Sequence, residues 1–307
     1  MKAFCIFNDF PEDCISQLNT CGIELTKVQK GYSRPSDSEM KHIMEKYDVI
    51  IIGTSQKIYD WMWENIESPR LIGTASVGID HISVPSDKKH LLRILNTPTA
   101  NAQSVAEYTI GAMLLTRKRF AEGAKLYSEG KDNKNLVCKP EDIHEATIGI
   151  VGAGNISSKL MELLQPFGVN IICYTKNPQN HKELEDRYAV TFVDLASLSA
   201  SSDIISVNVP YDASTENLIN ADLINRMKED CTFISVSREQ VTDNRSLLKK
   251  ANLNPNFYVV LDLDVIPSYI KDANGRNIII TPHIAGGTIE TRKRMFKEVT
   301  ERICKSI

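Results

Sequence analysis

Along the chain, short runs of aliphatic and β-branched residues alternate with stretches whose apolar residues recur every three or four positions. That is the pattern of parallel strands covered by helices on both faces. In the first third, strands are expected at residues 2–6, 49–52, 70–74 and 93–95, with helices at 37–46 and 59–66 between them. Asn96-Thr97-Pro98 stops this series. Beyond it, Val105, Tyr108, Thr109, Ala112 and Leu115 keep a helical spacing, and Ser104-Val105-Ala106-Glu107 has the form of a capping box, so a long helix is expected to start there. The polar stretch 129–139 reads as a loop or arm. A second series follows, with strands expected at 147–151, 170–174, 203–209, 232–236, 257–262 and 277–280, enough for a dinucleotide-binding sheet.

Length changes this picture from one domain to two, since 307 residues exceed what one hydrophobic core usually serves, and two domains imply a cleft. Hydrophobic residues at 42% and charged residues at 24% fit a globular chain rather than a disordered one. A net charge of −3 without long basic blocks argues against a nucleic-acid partner. The seven cysteines are scattered, with no C-x-x-C pair and no zinc-like histidine spacing, so reduced thiols and no metal are expected. No signal-like segment or long apolar span is visible, which places the protein in the cytoplasm and away from membranes.

The most informative local motif is Gly152-Ala153-Gly154-Asn155-Ile156, between the expected strand 147–151 and a helix carrying Ile156, Leu160, Leu163, Leu164 and Phe167 on one face. Gly152 permits a tight turn and Gly154 lets the main chain approach a pyrophosphate. The unpaired N–H groups near Asn155 and Ile156 supply anion donors. Ser157 stands where the fingerprint has its third glycine, and Gly168 closes the helix. The plainer reading is a simple strand-to-helix turn. About twenty residues on, where an acid would bind the ribose hydroxyls of NAD, the chain has Thr175-Lys176. A neutral and basic corner no longer repels a 2′-phosphate, so NADP is tolerated or preferred, unless Lys176 is only a solvated turn residue.

Several separated segments together resemble the D-2-hydroxyacid dehydrogenase family, which includes phosphoglycerate, glyoxylate and hydroxypyruvate dehydrogenases. They are Ser76-Val77-Gly78-Ile79-Asp80, Asn96-Thr97-Pro98, Asn101 with Ser104-Val105-Ala106-Glu107, the glycine turn, Val209-Pro210, Ser237-Arg238, Leu261-Asp262 and Thr281-Pro282-His283-Ile284. The resemblance implies two Rossmann-like, doubly wound α/β domains. A dinucleotide domain at 99–284 is inserted into a discontinuous substrate domain made of 1–98 and 285–307. It implies that Ser104, Val209, Pro210 and Asp262 join Gly152, Gly154, Asn155, Ile156, Thr175 and Lys176 around NAD(P), with Asp262 on the nicotinamide side. The N–H groups of Val77 and Gly78 would hold the substrate carboxylate. Arg238 would pair with the carboxylate and carbonyl, as a planar guanidinium suits two adjacent oxygens. His283 would exchange the proton while hydride moves between NAD(P)H and a small 2-oxo or 2-hydroxy acid. A homodimer is also implied, with the helix after Ser104 and the arm near 130–139 crossing to the partner.

Two departures qualify this expectation. The Glu that in the family supports the catalytic histidine is not found; the loop reads Leu263-Asp264-Val265-Ile266-Pro267, with Asp264 the only nearby acid. Glu239 replaces the glycine that usually follows the catalytic arginine, and either pairs with His283 or occupies Arg238. The segment Gly53-Thr54-Ser55-Gln56 lacks the arginine that phosphoglycerate enzymes place there, which disfavours a phosphorylated substrate. The competing expectation is a dinucleotide-binding sensor or corepressor-like protein without turnover.

Overall fold

The computed structural model describes residues 1–29, 34–136, 139–273 and 275–307, and these form two compact units, Met1–Asn101 with Thr288–Ile307, and Ala102–Gly287. Cys138 and part of the arm expected at 129–139 lie outside the described residues. The remaining cysteines are free thiols.

The first unit runs β1 (Lys2–Cys5), α1 (Glu12–Thr20), β2 (Glu24–Lys27), α2 (Asp37–Lys46), β3 (Val49–Ile52), β4 (Arg70–Thr74) and β5 (Leu92–Leu95). All pairings are parallel, in the order β2-β1-β3-β4-β5. Strand β3 shows why the sheet is covered on both sides. Val49 and Ile51 enter one core, Ile50 and Ile52 the other, and all four are fully buried. Helix α2 carries a complete capping box, Ser36 with Glu39, as its Ser-x-x-Glu spelling requires. The segment expected as a helix at 59–66 is instead a single 3-10 turn, Asp60–Trp63. The C-terminal helix, Ile289–Cys304, returns to this unit and packs Val299 and Ile303 over Gly73, where a Cβ would lie 2.8 Å from Ile303.

The second unit opens with α3 (Ala102–Arg117) and α4 (Phe120–Ser128). Ser104 is the third residue of α3 and buried, so the expected capping box at 104–107 does not form; the helix starts two residues earlier. Then come β6 (Thr147–Val151), α5 (Asn155–Leu164), β7 (Asn170–Tyr174), α6 (Lys182–Tyr188), β8 (Thr191–Phe192), α7 (Leu195–Ser201), β9 (Ile204–Val207), α8 (Ala221–Arg226), β10 (Thr232–Ser235), α9 (Asn244–Leu253), β11 (Tyr258–Asp262) and β12 (Ile278–Thr281). The sheet order is β12-β11-β10-β9-β6-β7-β8, again all parallel. Successive residues of β11 alternate between two cores, Val259 and Leu261 on one side and Val260 on the other. The order reverses between β6 and β9, and a crevice at such a switch point is where doubly wound sheets bind ligands. With the C-terminal helix as α10, the two units account for every helix and strand named.

Candidate active site

At the switch point of the second unit, β6 runs straight into the glycine turn. Gly152 has φ +104°, and a Cβ there would lie 2.9 Å from Val209 Cγ1, so only glycine fits without strain. Gly154 precedes α5 and offers no side-chain cap, which leaves the Ile156 and Ser157 N–H groups without an acceptor among the described residues. A Cβ on Gly154 would meet nothing within 4 Å, so the space above this helix start is open. These features fit a pyrophosphate held by main-chain donors at the positive end of a helix. Ser157 is fully buried and accepts from Asn208 Nδ2 at 3.3 Å, tying α5 to the end of β9, the close packing a third glycine would otherwise permit. Gly168, at φ +63°, ends the short 3-10 turn after α5.

Thr175 is half-buried and Lys176 exposed just beyond β7; the end of that strand carries no acid of its own, and the Asp212 carboxylate lies close enough to feel the Lys176 charge. Val209 and Pro210 follow β9, where the Ser237 hydroxyl donates to Val209 O at 2.8 Å and Thr215 Oγ1 to Pro210 O at 2.8 Å. These bonds hold the β9 and β10 loops together beside the glycine turn.

A second constellation forms where β11 and β12 end. Asp262 is buried, and its carboxylate accepts from Thr281 Oγ1 at 2.6 Å, Ile284 N at 2.8 Å and Ala285 N at 2.9 Å. Tyr108 of α3 shares the Thr281 hydroxyl at 2.7 Å; burial, and then the Asp262 charge, push its phenol pKa up. Between these anchors His283 has φ +51°, a left-handed conformation that non-glycine residues adopt at a cost of about 1–3 kcal/mol, and its side chain is exposed. The carboxylate clamp on the two following N–H groups is what holds that turn.

Arg238 follows β10, and its Nε lies 3.8 Å from Asp264 Oδ2. Glu239 neither bridges to Arg238 nor reaches His283; its charge lies beside the buried Tyr269 hydroxyl, whose pKa is raised by burial first and by Glu239 second. Among the described residues no carboxylate pairs with His283. The alternatives left open for Glu239 therefore both fail in this geometry, and Asp264 sides with the arginine.

In the first unit, the loop after β4 carries Val77 and Gly78. Thr97 N donates to Ser76 O at 2.8 Å, Asn96 Nδ2 to Val77 O at 2.7 Å, and Ser76 Oγ to Gly78 O at 2.7 Å. With three successive carbonyls engaged, the Val77 and Gly78 N–H groups have no acceptor among the described residues, a main-chain arrangement suited to an anion. Sequence reasoning singled out Asn96 and Ser76 only as motif members, not as the groups that set this loop. It also missed Arg34, whose guanidinium donates to Ser55 O, bringing a cation to the loop 53–56 that has none of its own.

A glycine turn at a doubly wound switch point, with an exposed, main-chain-clamped histidine at the end of another strand of the same sheet, defines a nicotinamide-dinucleotide-dependent oxidoreductase. The model for the D-isomer specific 2-hydroxyacid dehydrogenase NAD binding domain matches residues 110–285. A glyoxylate reductase of Thermofilum pendens is 30% identical over 301 residues, covering 93% of this chain and 85% of the relative. A hydroxypyruvate reductase of Thermotoga maritima is 29% identical over 274 residues, 88% of each chain. Among solved structures, an acyclic imino acid reductase in complex with NADPH and D-Arg superposes with a TM-score of 0.84 at 24% identity, over 99% of this chain and 96% of that one. The chain belongs to the D-isomer specific 2-hydroxyacid dehydrogenase family. It is an oxidoreductase of the class that moves hydride between a nicotinamide dinucleotide and a 2-oxo or 2-hydroxy acid. No helix among the described residues is long and apolar enough to cross a membrane.

Proposed function

We propose that this chain interconverts small 2-oxo and 2-hydroxy acids of the glyoxylate, hydroxypyruvate or pyruvate kind, and that it accepts NADP as well as NAD. The observation that carries the reading is the clamped His283 turn: an exposed imidazole held in a strained conformation by a buried carboxylate is costly unless its direction matters. When bound, the dinucleotide supplies or takes the hydride. Gly152, Gly154, Asn155 and Ile156 would hold its pyrophosphate, and Thr175 and Lys176 its adenosine ribose, with or without a 2′-phosphate. Ser104, Val209 and Pro210 line the remainder.

Val77 and Gly78 N–H groups take the substrate carboxylate, Arg238 aligns carboxylate and carbonyl, and His283 gives the carbonyl oxygen its proton in reduction and removes it in oxidation. Asp262 already spends its carboxylate on Thr281, Ile284 and Ala285, so we assign it to positioning His283 rather than to direct contact with the nicotinamide. A homodimer acting in the cytoplasm completes the proposal.

The test follows cofactor oxidation with NADH and with NADPH against glyoxylate, hydroxypyruvate and pyruvate. His283→Ala is expected to lower kcat/KM by about 10²–10⁴. Lys176→Ala is expected to raise KM for NADPH about tenfold with little change for NADH. Tight cofactor binding without turnover on any acid would overturn the enzymatic reading in favour of a sensor.

A further inference from the structure

Three polar side chains, Thr74, Ser76 and His81, are buried beneath the loop that carries Val77 and Gly78, and burial of polar groups is costly unless each finds a partner. They form one chain of hydrogen bonds. His81 Nε2 lies 3.0 Å from Thr74 Oγ1, Thr74 Oγ1 lies 2.7 Å from Ser76 Oγ, and Ser76 Oγ lies 2.7 Å from Gly78 O. A hydroxyl has a single proton to give, so the carbonyl end fixes every direction in the chain. The Gly78 carbonyl can only accept, and the Ser76 proton goes to it. Ser76 then accepts from Thr74, and Thr74, its own proton spent, accepts from His81. The His81 ring is therefore a donor at Nε2, whichever charge it carries. Its main chain is anchored as well: Ile58 N donates to His81 O and Ser83 N to Ile58 O, both at 2.9 Å, while Ala75 N at the other end of the loop donates to Ile52 O at 2.8 Å.

Resting on the assignment of the Val77 and Gly78 N–H groups to the substrate carboxylate, we propose that His81 is a positioning residue for that cradle. As the terminal donor of the relay it sets the 78–79 peptide, so that the Ile79 N–H joins the other two as a third main-chain donor. In a trans peptide the C=O and N–H point in opposite directions, so a carbonyl held on the buried side turns the following N–H away from it. The same rule already applies to the two preceding peptides, where Thr97 N holds Ser76 O and Asn96 Nδ2 holds Val77 O. The Ile79 N–H, like those of Val77 and Gly78, has no acceptor among the described residues. Remove the donor at His81 and the relay loses its fixed polarity: Thr74 and Ser76 become free to turn their protons, and the Gly78 carbonyl is no longer assured of its partner.

The experiment measures kcat and KM for glyoxylate and pyruvate, and dinucleotide affinity, in the full chain and in His81→Leu, Thr74→Val, His81→Gln and Asn96→Ala. His81→Leu and Thr74→Val break the relay and are expected to raise KM for the acid about tenfold, with kcat and dinucleotide affinity within about threefold of wild type. His81→Gln keeps an N–H donor and should restore KM to within about threefold of wild type. Asn96→Ala removes a cradle contact outside the relay and should raise KM by itself. An unchanged KM in His81→Leu and Thr74→Val, beside a raised one in Asn96→Ala, would overturn the relay and leave the cradle standing. An unchanged KM in all three, or no acid turned over by the wild type, would overturn both. His81→Gln as impaired as His81→Leu would overturn the donor role. The ring is also read directly, in protein that needs no turnover, by the nitrogen-15 spectrum of the wild-type histidines, with His81 identified by its loss in His81→Gln. A proton on Nε2 is expected, and a ring protonated at Nδ1 alone would overturn the proposal.

Discussion

Replacing Asp262 with asparagine tests whether this residue holds the His283 turn or touches the cofactor. In the native turn one carboxylate oxygen accepts from both Thr281 Oγ1 and Ile284 N, and the other accepts from Ala285 N. The amide oxygen of Asn can take the place of the first, but its NH2 group then faces the Ala285 N–H, donor against donor. A hydrogen bond to a charged acceptor contributes about 1.5–3 kcal/mol, and the stranded buried donor costs about 1–3 kcal/mol more. The expected loss is therefore about 3 kcal/mol, a large share of the ordinary stability of a folded chain. It should appear as a lower urea midpoint at unchanged slope.

The catalytic consequence separates the two roles. With the clamp weakened, His283 relaxes from φ +51° toward an unstrained conformation, so kcat should fall at least about tenfold while the affinity for the dinucleotide changes less than about threefold. Loss of cofactor affinity as large as the loss in kcat would refute the positioning role, as would a stability change below about 0.5 kcal/mol.

Three further outcomes follow from the glycine turn and the sheet. Gly154→Ala, whose new methyl meets no protein atom within 4 Å, should leave stability within about 1 kcal/mol yet weaken dinucleotide binding tenfold or more. Gly152→Ala, at φ +104° and 2.9 Å from Val209, should also destabilise the fold by about 1–3 kcal/mol; denaturation and cofactor-fluorescence titration read the two effects apart. Burial alone would raise the Asp203 carboxyl, but the Lys228 ammonium at 2.7 Å and the Thr147 N–H at 2.8 Å outweigh it and hold its pKa below the ordinary 3.8. A depressed carboxylate contributes stability above its unfolded pKa and loses it as the pH falls. Lys228→Met should therefore cost about 1 kcal/mol at neutral pH, with the difference from wild type closing below about pH 4. A difference that persists undiminished at pH 2 would refute the ion pair as its source.

What could be read from the sequence, and what could not, divides by range. Strands β3, β4, β6 and β7 and helix α2 have the bounds expected of them, because their residues alternate between two buried cores or follow a capping box, and both signals are local. Strand β2 was not legible: Glu-Leu-Thr-Lys lies at a sheet edge, half-exposed, and buries too little to show a period. Strand β8, two residues long, leaves no pattern at all. The misplaced start of α3 shows a Ser-x-x-Glu spelling that packing overrides, since Ser104 is buried inside the helix. In the site, Gly152 and Gly154 were legible because their roles lie in their own main chain. The Tyr108–Thr281 bond spans 173 positions and the Asp262–Ile284 bond 22, and no spacing in the chain announces either.

The same division explains why the side chains that decide binding differ from those that shape the site. Both proposed anion cradles consist of main-chain N–H groups, at Ile156 and Ser157 in one unit and at Val77 and Gly78 in the other. Main-chain donors carry no titratable charge, so their binding strength does not follow pH, and they are insensitive to which side chain they bear. Their exposure depends instead on neighbours that occupy the carbonyls or keep a Cβ away: Asn96 and Ser76 on one loop, glycine at 152 and 154 on the other. On the proposed assignment, the permanently charged groups offered to a ligand are Arg238 and Lys176, which can discriminate among ligands of one shape. A substitution at Arg238 or Lys176 is thus expected to change which acid or dinucleotide is taken, whereas one at Asn96 or Ser76 weakens binding of any acid and one at Gly152 or Gly154 that of either dinucleotide.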